Sequence, residues 1–214
     1  MTNLAIMGVS AVLGYLLGSI NFGVVVSRLL YHEDIRTKGS GNAGTTNILR
    51  TYGKKAAALT LAGDLGKGVA AVLIAQFLAG WLLKDIASAI SAGYIASIAA
   101  VCGHLWPVWF GFKGGKGVAV AAGAILAAQP VVLLGLLVIF FAFAFSTKIV
   151  SLSSIVAAVA YPIFTCLWSM HKGYDVFVTT GCAALMAVLV IWMHRENIKR
   201  LLAGTEYKFG QNKK

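Results

Sequence analysis

Charge is scarce in this chain: of 214 residues 12% are charged and 59% are hydrophobic. A soluble domain of this size could not bury that much apolar side chain in one core. Acid is scarcer still, with 7 Asp and Glu against 18 Lys and Arg and a net charge of +11. Cys102, Cys166 and Cys182 sit singly in apolar segments with no CxxC pairing, which argues against a disulfide framework or a cysteine metal site. Low-complexity tracts, long linkers and a separate polar domain are also missing. The strict alternation that a membrane barrel needs is absent too.

What the chain has in abundance is long apolar runs. They lie at about Leu4 to Leu30, Ala56 to Leu83, Ile86 to Phe110, Gly117 to Phe145, Val150 to Met170 and Tyr174 to Met193. Most reach the roughly 20 residues that a helical bilayer crossing requires, and a helix satisfies its own backbone polar groups in lipid. No basic residue precedes the first run and no clear cleavage pattern closes it, so it is expected as the first crossing, not a signal peptide. The run from Gly117 to Phe145 is long for one crossing and short for two, and Gln129-Pro130 interrupts it. Proline inside a helix removes a hydrogen bond and clashes with the preceding turn, so two short helices are expected there. The expected fold is an all-α, polytopic integral membrane helical bundle with seven transmembrane segments, two of them short, forming one domain over residues 1–214.

Seven segments place the lysines and arginines of Arg28 to Lys55, of Lys113 to Lys148 and of the tail from Arg195 to Lys214 on one face. That face collects 15 of the 18 Lys and Arg and reads as cytoplasmic. Because these cations are divided among loops that abut the membrane, anionic headgroups and phosphorylated substrates suit them better than nucleic acid.

Four polar clusters interrupt the apolar pattern. The first, Gly39-Ser40-Gly41-Asn42-Ala43-Gly44-Thr45-Thr46-Asn47-Ile48-Leu49-Arg50, combines glycines that let backbone N–H groups converge with neutral donors and a forked cation. It reads either as an ordinary connecting loop or as an anion site. The second, Gly63-Asp64-Leu65-Gly66-Lys67-Gly68, puts Asp64 and Lys67 on one helix face inside an apolar run. This is either a structural ion pair or a site whose glycines admit a substrate to the backbone.

In the third, Gly103-His104-Leu105-Trp106-Pro107 runs on to Phe112-Lys113-Gly114-Gly115-Lys116-Gly117. The GxxxxGK[ST] spacing of an ATPase loop is not met. Lys113 and Lys116 among glycines at the start of a helix suit an anion, although lysines beside Trp106 and Trp109 also serve as interface anchors. In the fourth, His194-Arg195-Glu196-Asn197-Ile198-Lys199-Arg200-Leu201-Leu202, His194 and Asn197 share a helical face with Leu201 and Leu202 beneath. The same stretch also fits a basic amphipathic helix lying on an anionic leaflet.

Taken in order, Gly18-Ser19-Ile20, GSGNAGTTNILR, GDLGKG, GHLWPVWFGFKGGKG, Val150 to Ser154 and HRENIKRLLAGTE resemble the bacterial membrane acyltransferase family that moves an acyl chain from acyl phosphate to sn-glycerol 3-phosphate. The resemblance spans almost the whole chain, with Asn21 where proline is common and Thr45 where alanine is usual. It implies reacting-centre roles for Ser40, Asn47, Arg50, His104, His194 and Asn197. It further implies phosphate binding by Gly41, Asn42, Thr46, Lys113, Lys116 and Arg195, and glycerol 3-phosphate binding by Gly63, Asp64, Gly66, Lys67 and Gly68. Glu206 is expected to tie the tail to nearby cations instead of entering the chemistry.

The implied product is 1-acylglycerol 3-phosphate, or lysophosphatidic acid, formed in the first acylation of phospholipid synthesis at the cytoplasmic face of the bacterial inner membrane. Membrane lipid and a soluble enzyme that makes acyl phosphate are the implied partners. None of His32, His104, His171 or His194 has Asp five residues later, so the His-x4-Asp pair of many thioester-using acyltransferases is missing. A mixed anhydride is already activated, and no metal or cofactor is expected. The rival reading, a secondary transporter for an anionic metabolite, accounts for the broken helices and the Asp64/Lys67 pair. It does not account for polar clusters gathered at one membrane face without paired halves, and a phosphate-lipid scaffold leaves four separate motifs unexplained. Phe22, Trp106, Trp109 and Phe112 are candidates for an acyl groove or for lipid-facing anchors.

Overall fold

Residues 3–210 are described in a computed structural model; Lys213 and Lys214, counted above among the tail cations, lie outside them. Every regular element among the described residues is helical. They group into two units, one ending at Ala128 and the other beginning at Gln129.

The first unit begins with α1 (Asn3–Gly18) and α2 (Phe22–Tyr31). The apolar run expected to be one helix is therefore interrupted at Ser19, Ile20 and Asn21. Ser19 turns its hydroxyl back on the carbonyl of Tyr15 at 2.8 Å, and Asn21 restarts the helix by accepting from the Val24 N–H at 3.3 Å. This is N-capping by a side chain that competes with the backbone. After a 3-10 turn at Ile35–Thr37 come α3 (Thr45–Tyr52) and α4 (Lys54–Leu83). The unit continues with α5 (Ile86–Leu105), a 3-10 turn at Val108–Phe110 and α6 (Val118–Ala128).

Small residues bring these helices nearly into backbone contact. A Cβ at Gly14 or Gly18 of α1 would strike Ala96 or Ala100 of α5, and one at Gly103 would strike Tyr15. Likewise Gly68 of α4 and Gly123 of α6 leave room for Val120 and Leu65 of the facing helix. Lipid is as apolar as leucine, so such close packing, not burial from water, holds helices together. Under the first loop, Val24, Val26, Ile35, Ala43, Ile48, Ala56 and Ala57 form a buried cluster, with Tyr52 and Phe110 packed against it.

The second unit contains α7 (Pro130–Thr147), α8 (Val150–Lys172), α9 (Val176–Met193) and α10 (Arg195–Leu202). Buried hydroxyls link its helices: Thr165 donates to Gln129 at 3.1 Å and Thr179 to Ser169 at 2.8 Å. Beyond α10 the chain turns back, and the Phe209 N–H reaches the Lys148 carbonyl at 2.9 Å.

The break at Gln129-Pro130 is as expected, with Pro130 in the first turn of α7. Of the seven crossings expected, six stretches among the described residues are long and apolar enough to span a membrane, α1 and α2 together counting as one, and α6 is a shorter apolar helix beside them. With 11 residues α6 rises only about 16 Å, short of a hydrocarbon core about 30 Å thick. Nor is α7 short, at 18 residues. The break falls near the middle of the apolar run, but α6 begins only at Val118 and α7 continues past the run to Thr147, so one short helix and one of crossing length result. Phe77, Phe145, Leu167, Phe177 and Val188 are among the large apolar side chains left exposed, as lipid-facing positions are.

Candidate active site

The break between α1 and α2 matters because it strips a carbonyl of its helical donor within an apolar run. That carbonyl, of Ile20, accepts from Lys67 Nζ at 2.7 Å. Lys67 also lies 2.8 Å from Asp64 Oδ1 and 2.9 Å from His104 Nδ1. Asp64, Lys67 and His104 are at most 5% exposed. The Asp64 contact is an ion pair without the angles of a hydrogen bond. Nδ1 also lies 3.5 Å from Asp64 Oδ1, but the ammonium is nearer and has only donors, which favours Nδ1 as acceptor and places the hydrogen of a neutral ring on Nε2. Nε2 is turned toward Gly115, where a Cβ would strike it. One carboxylate, one ammonium and a neutral imidazole thus form a charge-balanced cluster beneath the loop that carries Lys113 and Lys116.

That loop folds back on the end of α5. The N–H groups of Gly114 and Gly115 donate to the carbonyls of Leu105 and His104, each at 3.1 Å, and a side chain at Gly114 would strike the His104 carbonyl. Gly111 and Phe112 take left-handed φ values of 66° and 59°, costly for phenylalanine. Lys113 is exposed and Lys116 half-buried.

The first loop is organised by Asn47. Its Nδ2 donates to the carbonyls of Asn42 at 2.9 Å, Lys38 at 3.0 Å and Ile35 at 3.3 Å, and its Oδ1 accepts from the Ser40 N–H at 2.9 Å. Buried at 2% exposure, this side chain shapes the loop from within. Gly39, at φ 56°, passes so near Asn47 Oδ1 that a Cβ would collide with it. Asn42 closes its own turn by accepting from the Gly44 N–H at 2.9 Å. Ser40, Gly41 and Arg50 are exposed, and Thr46 is half-buried in the first turn of α3.

Two residues that sequence reasoning treated as no more than background join these loops. Arg36 forks onto Asp34, Nε to Oδ1 at 2.9 Å and Nη2 to Oδ2 at 2.8 Å, while its Nη1 donates to the carbonyls of Phe110 and of Lys113, the latter at 3.0 Å. Arg28 adds a contact to Asp34 Oδ2 at 2.9 Å. Hydrogen bonds from Arg36 hold the Asp34 carboxyl well below the usual carboxylate range, and Asp34 raises the Arg36 guanidinium in turn. The available signal was the Asp-x-Arg spacing just before GSGNAG, where Asp34 also caps the 3-10 turn by accepting from the Arg36 N–H at 3.0 Å.

Among the glycines of GDLGKG the structure draws a distinction. Gly63 is filled by the Phe22 ring and Gly68 by α6, whereas Gly66 is exposed with nothing within 4 Å of a Cβ. An apolar groove of about 460 Å³ runs beside the break, lined by Leu13, Leu16, Leu17, Ile20, Trp109 and Phe110. Of the aromatics considered for a groove, Trp109 lines it; Phe22, Trp106 and Phe112 do not.

In the second unit, His194 and Asn197 do share a buried face, at 2% and 5% exposure. His194 Nδ1 lies 2.8 Å from the Val190 carbonyl, which can only accept, so Nδ1 carries the hydrogen and Nε2 the lone pair of the neutral ring. Asn197 Nδ2 donates to Glu206 Oε1 at 2.7 Å, Ser151 Oγ to the same oxygen at 2.9 Å, and Arg200 Nε to Oε2 at 2.7 Å. Burial pushes the Glu206 carboxyl up, but these three donors outweigh it and leave it below its ordinary value. Arg195 is exposed and stacks on Trp192, 5.2 Å from the ring centroid. Leu202, expected to pack beneath the helix, is 86% exposed instead.

The family model for glycerol-3-phosphate acyltransferase matches residues 8–204. The chain is 48% identical over 203 residues to the glycerol-3-phosphate acyltransferase of Clostridioides difficile, covering 95% of each chain. It is 45% identical over 207 residues to that of Agrobacterium fabrum, covering 97% of this chain and 94% of the relative. Among solved structures it is similar to PlsY (YgiH), an integral membrane glycerol 3-phosphate acyltransferase crystallised in a glycerol 3-phosphate form. The TM-score is 0.80 at 39% identity, over 95% of this chain and 96% of the other. A lysophosphatidic acid form of that protein matches at TM-score 0.79 and 37% identity, over 95% of each chain. With its helices, its motifs and nearly its full length matched, the chain belongs to the glycerol-3-phosphate acyltransferase family.

Proposed function

We propose that the protein transfers a fatty acyl group from acyl phosphate to the 1-hydroxyl of sn-glycerol 3-phosphate, releasing phosphate and 1-acylglycerol 3-phosphate. The observation that carries this reading is the joining by Arg36 of two glycine-rich, cation-bearing loops, one of them folded onto the buried His104 imidazole. Ser40, Asn42 and Thr46 supply neutral donors, Gly41 turns the loop at a left-handed φ with its own N–H held by the Lys38 carbonyl, Arg50 offers a fork, and Lys113 and Lys116 point charges suited to phosphoryl oxygens. His104 Nε2–H aims a donor at the same loop, positioned by Lys67 and Asp64. Asn47 acts on the reaction by shaping the Ser40 turn. The exposed Gly66 is the member of GDLGKG best placed for close approach by glycerol 3-phosphate, with Gly63, Asp64, Lys67 and Gly68 supporting it from within. Ile20 lines the apolar groove and lends its carbonyl to Lys67, so a groove fit for an acyl chain adjoins the polar cluster.

The hydroxyl oxygen attacks the acyl carbonyl carbon; the carbon–oxygen bond to phosphate breaks, and the leaving phosphate takes the electron pair and the hydroxyl proton. Such an anhydride is activated before it binds, so orientation and charge neutralisation supply the acceleration. For His194, Arg195 and Asn197, in the second unit, the proposed roles are those the resemblance implies, and in this reading residues 1–214 serve one function. The cation-rich loops are assigned to the cytoplasmic face of a bacterial inner membrane, where a soluble enzyme delivers acyl phosphate. The assay is purified protein in detergent with labelled glycerol 3-phosphate and acyl phosphate, acyl-CoA or acyl carrier protein as donor. Lysolipid from acyl phosphate alone is the expected result, and comparable kcat/KM with acyl-CoA refutes the donor. No lysolipid from any donor refutes the activity.

A further inference from the structure

Arg36 is a cation at the mouth of the site that the phosphate reading leaves without a task. Its guanidinium has five N–H donors, and four are engaged: one from Nε and one from Nη2 on Asp34, and two from Nη1 on the carbonyls of Phe110 and Lys113. Its charge is balanced by Asp34. A guanidinium committed in this way is a poor phosphate ligand and a strong fastener.

Each loop is anchored separately. Asn47 holds the Ser40 loop from beneath. The other hangs on α1, where Trp109 Nε1 donates to the Leu16 carbonyl at 3.2 Å and the Val108 N–H to Ser19 Oγ at 3.4 Å. Arg36 bridges the two, and its acceptors bracket Gly111 and Phe112, the left-handed pair that turns the chain toward Lys113.

We propose that Arg36, oriented by Asp34, is a positioning residue that sets the spacing between the Ser40 loop and the Lys113 loop, acting through backbone carbonyls without touching substrate. The inference rests on the reading of both loops as phosphate-binding. Fork geometry, not charge, is the requirement, because an ammonium cannot hold a carboxylate bidentately and two carbonyls together.

Hydrogen exchange of the full-length protein in detergent, without substrate, is the first measurement. Arg36→Gln should speed exchange at the Phe112, Gly114 and Gly115 amides about tenfold or more, leaving the α5 amides unchanged. Kinetics is the second. Arg36→Gln and Arg36→Lys should each lower kcat/KM about tenfold, and Lys113→Met added to either should cost far less than it does alone, because its ammonium is already misplaced. Asp34→Asn should lose activity in parallel.

Unchanged loop exchange, full additivity with Lys113→Met, or higher activity in Asp34→Asn would each overturn the proposal, the last by showing a guanidinium better employed when released. Should Arg36→Gln melt early, Arg36→Lys carries the same comparison. A wild-type protein without acyl transfer defeats the functional reading instead, and loop exchange then decides the clamp by itself.

Discussion

Lys67 Nζ lies 2.9 Å from His104 Nδ1, a contact between residues 37 positions apart that ties the middle of α4 to the end of α5. The same ammonium holds Asp64 and the carbonyl freed by the α1–α2 break. One side chain therefore balances a buried carboxylate, fixes a tautomer and caps an interrupted helix.

Removing that ammonium should be costly. Lys67→Met leaves the buried Asp64 facing only His104, whose Nδ1 lies 3.5 Å from Oδ1; loss of one partner costs about 3–5 kcal/mol in comparable buried pairs. A large fall in melting temperature in detergent is expected, and Asp64→Asn added to Lys67→Met should recover much of it. A single variant that melts like the wild type would show that Asp64 is either uncharged in the fold or balanced by His104 alone.

The glycines of GDLGKG should divide by position. Gly63→Ala drives a methyl into the Phe22 ring, and overpacking of this kind costs about 1–3 kcal/mol. Gly66→Ala meets nothing within 4 Å and gains about 0.5–1 kcal/mol of helix propensity. Gly66→Ala should therefore melt no lower than the wild type while raising the KM for glycerol 3-phosphate more than that for acyl phosphate. Unchanged KM values for both substrates would remove Gly66 from the glycerol 3-phosphate site.

Arg50→Lys keeps the charge of an exposed position at the end of α3 and removes its fork. If Arg50 pairs bidentately with a phosphate, kcat/KM should fall about tenfold or more with the melting curve unchanged. A wild-type rate in the well-folded variant would reduce its role to charge alone.

The tail contact should be sensitive to acid. In the fold the Glu206 carboxyl titrates below its ordinary value of 4.5, so its stabilising effect is fully present above that value. It is lost as pH falls through the lower folded value. Hydrogen exchange of residues 195–206, taken relative to the intrinsic rate at each pH, should therefore be flat from neutrality to about pH 5 and rise below about pH 4. Glu206→Gln should raise exchange at neutral pH and flatten the acid limb; an acid limb unchanged by the substitution would assign it to another group.

What the sequence determined by itself was the class of molecule and the order of its polar clusters. Apolar runs of crossing length leave the helix as the satisfied backbone, Pro130 fixes a break at Gln129, and the spacing of His194 and Asn197 puts both on one face. These are local or compositional facts, legible without knowing what packs where.

Only tertiary structure decided the rest, because it depends on partners distant in the chain. Ser19 and Asn21 interrupt α1 in a run that hydropathy reads as continuous, and α6 falls short of a crossing. Gly63 and Gly66 look alike in sequence and differ only in whether Phe22 or open space faces them. Asp34 and Arg36 resemble ordinary loop charges until the carbonyls of Phe110 and Lys113, more than seventy residues away, come within reach of the guanidinium. A side chain's local pattern records which bonds it can make, and the fold supplies the groups it makes them with.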